Sequence, residues 1–203
     1  MTTCSTSGTG RGRSRLRPLI WGAAASLLLL PALAMRFTAE VDWTASDFMV
    51  MGAMLAAACG IYELALWLSG DPVYRAAYGI AVATGFLTVW VNLAVGMFGS
   101  ENDAINLMFA GVLLVAAMGS LLARFRPRGM ARAMAATAAA QLLAAALGLA
   151  IGLATGMDEG QGLGLAWETF LTACFALPWL VSAQLFRKAA QRQASFSGNG
   201  TTA

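Results

Sequence analysis

RAAYGIAVATGFLTVWVNLAVGMFGSENDAINLMFAGVLLVAAMGSLLARFRPR, residues 75–128, decides the fold. It opens with an apolar run, 76–98, and passes through a short acidic turn, Gly99-Ser100-Glu101-Asn102-Asp103. A second apolar run, 104–123, follows, and then the basic cluster Arg124, Arg126 and Arg128. A helix crossing the hydrocarbon core needs about 20 predominantly apolar residues, which is the length of each run. The stretch therefore reads as two membrane spans joined by an acidic loop on one side, with positive charge on the other.

The rest of the chain repeats that scheme. Of 203 residues, 59% are hydrophobic and 11% charged, with a mean hydropathy of +0.68; soluble domains carry about 25% charged residues. Apolar runs predict spans at 18–35, 47–69, 76–98, 104–123, 132–155 and 165–186. Arg11, Arg13, Arg15 and Arg17 precede the first span, so residues 1–17 read as a disordered basic tail, and 189–203 as a polar one. With six spans, one side receives Arg75, the 124–132 arginines, Arg187, Lys188, Arg192 and the N-terminal arginines; the other receives Arg36 and eight of the ten acidic residues. The positive-inside rule then places both termini in the cytoplasm. The expected fold is an all-α polytopic transmembrane bundle of six helices, N-in/C-in, in a bacterial inner membrane.

Prolines are read as punctuation. Pro31 is expected to kink or end the first span, Pro72 to break the chain after the second, Pro127 to mark a turn, and Pro178 to interrupt the sixth. Ser46 or Asp47 is expected to cap the second span. The first run has a rival reading: a basic segment, an apolar run and Ala32-Leu33-Ala34 also fit a cleavable signal peptide, although the run exceeds the usual 7–15 residues.

Composition excludes several chemistries. The chain has no histidine, which removes bis-His haem ligation and His general-base catalysis. Cys4, Cys59 and Cys174 lack metal-ligand spacing, and Cys59 and Cys174 lie inside apolar runs. No P-loop, dinucleotide fingerprint or nucleophile–base pair is present. The basic residues lie between spans and do not point to nucleic acid. We expect no enzyme activity, no cofactor and no metal. The expected partners are the lipid bilayer and another membrane protein or a second copy of the chain.

Trp90-Val91-Asn92-Leu93-Ala94-Val95-Gly96, then Gly99-Ser100-Glu101, then Asn106-Leu107-Met108, resembles a family of small uncharacterised multi-pass bacterial inner-membrane proteins. Tyr74-Arg75-Ala76-Ala77 and the segment from Ala123-Arg124-Phe125-Arg126-Pro127-Arg128 to Ala133 look like the same family. The resemblance covers most of residues 17–190. It implies that the first run is a retained span, and it implies no activity. The Arg-rich N-terminus and the Gly-rich loop at 160–164 depart from it.

Three groups of residues could carry function. Glu63 is the only ionisable residue well inside a span; a carboxylate at helix centre costs about 2.5–3.5 kcal/mol on insertion scales. It is either a proton or cation relay or a structural partner to Tyr62, Tyr78 or Arg75. Trp90, Asn92, Glu101, Asn102, Asp103 and Asn106, with Asp47 and Glu168, form an external polar cluster: a cation or small-ligand site, or loop caps facing water. Finally, Gly52, Ala56 and Gly60 in the second span, and Ala136, Ala140, Ala144, Gly148, Gly152 and Gly156 in the fifth, recur every fourth residue and are expected to seat neighbouring helices.

Overall fold

The computed structural model describes residues 10–99, 103–156 and 164–199. Seven α-helices follow in order: α1 (Gly10–Ala34), α2 (Ala45–Leu68), α3 (Pro72–Ala94), α4 (Met108–Leu122), α5 (Pro127–Thr155), α6 (Gly164–Cys174) and α7 (Ala176–Asn199). A 3₁₀ turn, Ala104–Leu107, leads into α4. No strand occurs among the described residues. With α6 and α7 counted as one interrupted span, six helices are long and apolar enough to cross a membrane. The chain is thus all-α and polytopic, as the hydropathy pattern predicts.

The boundaries depart from expectation, mostly at prolines. Pro72 and Pro127 each occupy the first turn of a helix, α3 and α5. Proline's fixed φ suits that position and its missing N–H costs nothing there. Asp71 completes the start of α3 by accepting the Val73 N–H at 2.9 Å. These spans therefore begin at 72 and 127, ahead of the expected 76 and 132. Pro31 does not end α1, which continues to Ala34 and begins at Gly10, within the stretch expected to be a disordered tail. At the other end α7 continues to Asn199, so residues 189–199 are helical too. Pro178 does interrupt the last span: it lacks the N–H that would bond Cys174, and the helix breaks at Phe175. The start of α2 is capped by Thr44, one turn ahead of the expected residue. Asp47 Oδ2 accepts the Thr44 N–H and hydroxyl at 2.7 and 2.8 Å, a capping box with Thr44 as the cap and Asp47 reaching back.

The described chain divides into two compact units, 1–67 and 68–203. In the first, α1 runs antiparallel to α2: Leu28 lies 3.7 Å from a Cβ built at Gly52, and Arg17 reaches Glu63. Residues eleven apart on one helix thus face residues eleven apart on the other. In the second unit α5 is central. It packs against α4, α6 and α7, and α7 also packs along α3. Consecutive α3 and α4 barely touch, because the segment between them folds inward. Gly96 and Gly99 take positive φ (76° and 63°), and Met97 and Phe98 are buried. Span 3 accordingly ends at Ala94, and the last apolar residues of that run are a plug in the core.

The interior mixes apolar side chains with small polar ones, and large apolar side chains also cover the outside. Thr84, Thr88, Thr137, Gln141, Thr172 and Ser182 are buried, whereas Leu122, Leu143, Leu153 and Leu177 are about 60% exposed or more. Small and hydroxylated side chains at helix contacts with leucine outside is the distribution expected when the surroundings are lipid tails.

Candidate functional site

Glu63 lies on α2 one turn from its C-terminal end. The indole N–H of Trp21 donates to Glu63 Oε1 at 2.9 Å, and Arg17 Nη2 stands 3.3 Å from Oε2. Both carboxylate oxygens are therefore held by α1. Arg17 and Trp21 are four residues apart, on one face of a helix that starts at Gly10. The structural partner expected from sequence was Tyr62, Tyr78 or Arg75; the partners seen within the first unit are Arg17 and Trp21. Ending the N-terminal tail at residue 17 hid Arg17 as a helical residue, and with it the only guanidinium one helical turn from a tryptophan on α1. In water a pair this exposed (side chains 27% and 47% accessible) is worth about 0–1 kcal/mol. In a lipid setting, the alternative is an uncompensated carboxylate.

The external polar cluster does not form one water-facing ligand set. Asn106 is buried and turned inward. Its Oδ1 accepts the N–H groups of Met97 and Phe98, each at 3.0 Å, and its Nδ2 donates to the Phe98 carbonyl at 3.0 Å. One amide thereby satisfies three backbone groups of the plug. Glu168 Oε2 accepts the Gly99 N–H at 3.3 Å, holding the far side of the same turn. Asn92 Nδ2 donates to the Thr88 carbonyl of its own helix at 2.8 Å, and its Oδ1 is buried with no partner among the described residues. Asp103 is exposed at the cap position of the 3₁₀ turn, and Trp90 is half-buried. Glu101 and Asn102 lie outside the described residues. Asp47 serves the start of α2. Among the described residues no three carboxylate or thiol groups come together in a way that could hold a metal ion.

The small-residue stripes fare differently. On α5, a Cβ at Gly148 would overlap the Phe98 ring, and one at Gly152 would stand 2.6 Å from Leu165 Cδ1. Both glycines therefore seat neighbours, and Gly156 ends the helix with φ 69° and its N–H on the Gly152 carbonyl. Ala136, at the other end of the stripe, is exposed. Every fourth residue advances about 40° around a helix, so a stripe of six drifts off the contact face. The α2 stripe is a correction. Gly52 meets only Leu28 at an ordinary distance, Ala56 is exposed, and Gly60 faces open space. The buried line on α2 is Met51, Leu55 and Cys59.

Thr137 and Gln141, beside the stripe on the fifth span, are by sequence candidates for hydrogen bonds across helices; Thr137 instead bonds the Ala133 carbonyl of its own helix at 2.9 Å. Gln141, fully buried, donates to the Thr172 carbonyl at 3.1 Å, one turn before the α6–α7 break. Ser182 donates to the Ala77 carbonyl at 2.8 Å, tying α7 to α3. Gly119 and Gly129 allow close approach at the other end: a Cβ would stand 2.9 Å from Ala133 Cβ and 2.7 Å from Ala123 Cβ, respectively. The signal for Gln141 was present, one amide in an Ala-rich span, but its partner is a backbone carbonyl that no side-chain pattern announces.

Comparison with family models, with curated proteins and with solved structures finds no match.

Proposed function

We propose that this chain is a non-enzymatic integral protein of a bacterial inner membrane, both termini cytoplasmic, that acts through helix packing and contact with a membrane partner. The kinship suggested by the Trp90–Gly96 and Asn106–Met108 segments fits this reading. The observation that carries it is the use of the polar side chains. Asn106, Gln141, Ser182 and Glu168 each bond backbone of another segment, and Glu63 bonds Arg17 and Trp21. These side chains act as ties between segments, a role supported by the cost of unpaired polar groups in lipid, whereas Thr84, Thr88 and Thr137 bond carbonyls of their own helices. Glu63 then is a structural partner of α1.

The competing reading is a small proton-coupled carrier using Glu63. Its separate expectation is that the charge itself is required. In Glu63→Gln the amide keeps an acceptor for the Trp21 N–H and loses the ion pair. The structural role predicts a folded, inserted protein that complements a deletion phenotype, with a modest loss of thermal stability. A folded Glu63→Gln protein without complementation would instead overturn the structural role and favour the carrier reading.

A further inference from the structure

The turn joining α4 to α5 carries Arg124, Arg126 and Arg128, and Arg132 follows one helical turn later. All four are exposed, and among the described residues none has a carboxylate partner. The backbone beneath them is unusual. Arg124 and Phe125 both have positive φ, 48° and 56°, a region that L side chains seldom occupy and that persists only where the surroundings fix it. Here the fixing groups are identifiable. The Arg124, Phe125 and Arg126 N–H groups bond Leu121, Ser120 and Ala123. The Tyr74 hydroxyl donates to the Phe125 carbonyl at 2.9 Å, and the Phe125 ring lies 6.4 Å from that of Tyr78. Pro127 sets the first turn of α5, and Gly129 lets it press against Ala123. The guanidinium groups therefore leave a turn whose own conformation is fixed.

We infer that this turn is a docking surface for an anionic phospholipid, with the arginines taking its phosphodiester. Three features converge on that occupant. Guanidinium matches phosphate oxygens in a bidentate fork. The turn ends two membrane spans, at the depth where headgroups lie. Leu121 and Leu122, 58% and 79% exposed, lie within three residues of Arg124, so apolar surface for an acyl chain adjoins the charge. A free phosphate would use only the guanidinium half of this surface. The inference rests on the chain's residing in a bilayer.

The test uses full-length protein in phosphatidylcholine nanodiscs containing increasing phosphatidylglycerol, with lipid retained after extraction read by native mass spectrometry. Failure of the wild type to enter phosphatidylcholine discs would count against the membrane reading itself, separately from the lipid site. Retained phosphatidylglycerol adducts are expected in the wild type. Loss of three basic groups in R124Q/R126Q/R128Q should weaken that association by roughly 100-fold, at about fivefold each. R187Q/K188Q, which removes exposed charges on α7, should retain the adducts. Tyr74→Phe keeps every charge but frees the turn, and should lower retention. Equal retention in the triple arginine variant, equal loss in R187Q/K188Q, wild-type retention in Tyr74→Phe, or competition by millimolar inorganic phosphate would each overturn the assignment.

Discussion

Replacing Asn106 tests whether the inward fold of the α3–α4 segment rests on one amide. Three bonds of 3.0 Å join its side chain to Met97 N–H, Phe98 N–H and Phe98 C=O, and Phe98 itself is fully buried. Asn106→Leu keeps a similar volume, keeps the site dry, and orphans all three backbone groups. Each buried group left without a partner costs about 1–3 kcal/mol, so the loss should be at least about 3 kcal/mol. For a chain of this size 1 kcal/mol moves Tm by about 2–4 °C. Thermal unfolding in dodecyl maltoside, followed by tryptophan fluorescence at one fixed scan rate, should therefore shift down by roughly 6–12 °C. A Leu variant within 2 °C of wild type would refute the argument, since the plug would then be held by ring packing alone.

The α5 glycines should differ in tolerance. Gly148→Ala drives a methyl into the Phe98 ring, which stacks on Phe109 and has no room to yield; overpacking of this kind costs about 1–3 kcal/mol. Gly152→Ala meets the tip of Leu165, whose methyl groups can rotate, so its Tm should lie closer to wild type; the reverse ranking would contradict the contacts. Reporter fusions should read cytoplasmic after Arg128 and Arg192 and periplasmic at Gly160, while a mature N-terminus near Met35 would reveal a cleaved leader and leave five spans.

The amino-acid sequence by itself determined the class of fold. Runs of about twenty apolar residues, punctuated by basic and acidic segments, admit few solutions other than spanning helices, because backbone groups in hydrocarbon must pair within their own helix. It also marked Gly148 and Gly152 as packing positions and Pro178 as a break, whereas Gly156, read as part of the same stripe, is the left-handed cap of α5. Other features came only with the tertiary structure. Pro72 and Pro127 punctuate the chain either way, and their role as helix starts depends on the φ/ψ that neighbours allow. The hairpin of residues 75–128 reads as two adjacent helices, yet α3 packs on α7 and α4 on α5. Hydropathy reports that a run is apolar and is silent on which apolar faces meet, because lipid and protein interior are equally apolar. Thus Met97 and Phe98 continue the helix by pattern and fill the core in fact, and Asn106 belongs to an external cluster by pattern and is an internal tie in fact. Glu63 was singled out as the one carboxylate within a span, but its partners lie 46 and 42 residues earlier in the chain. Only the antiparallel pairing of α1 with α2 brings those side chains within reach of it.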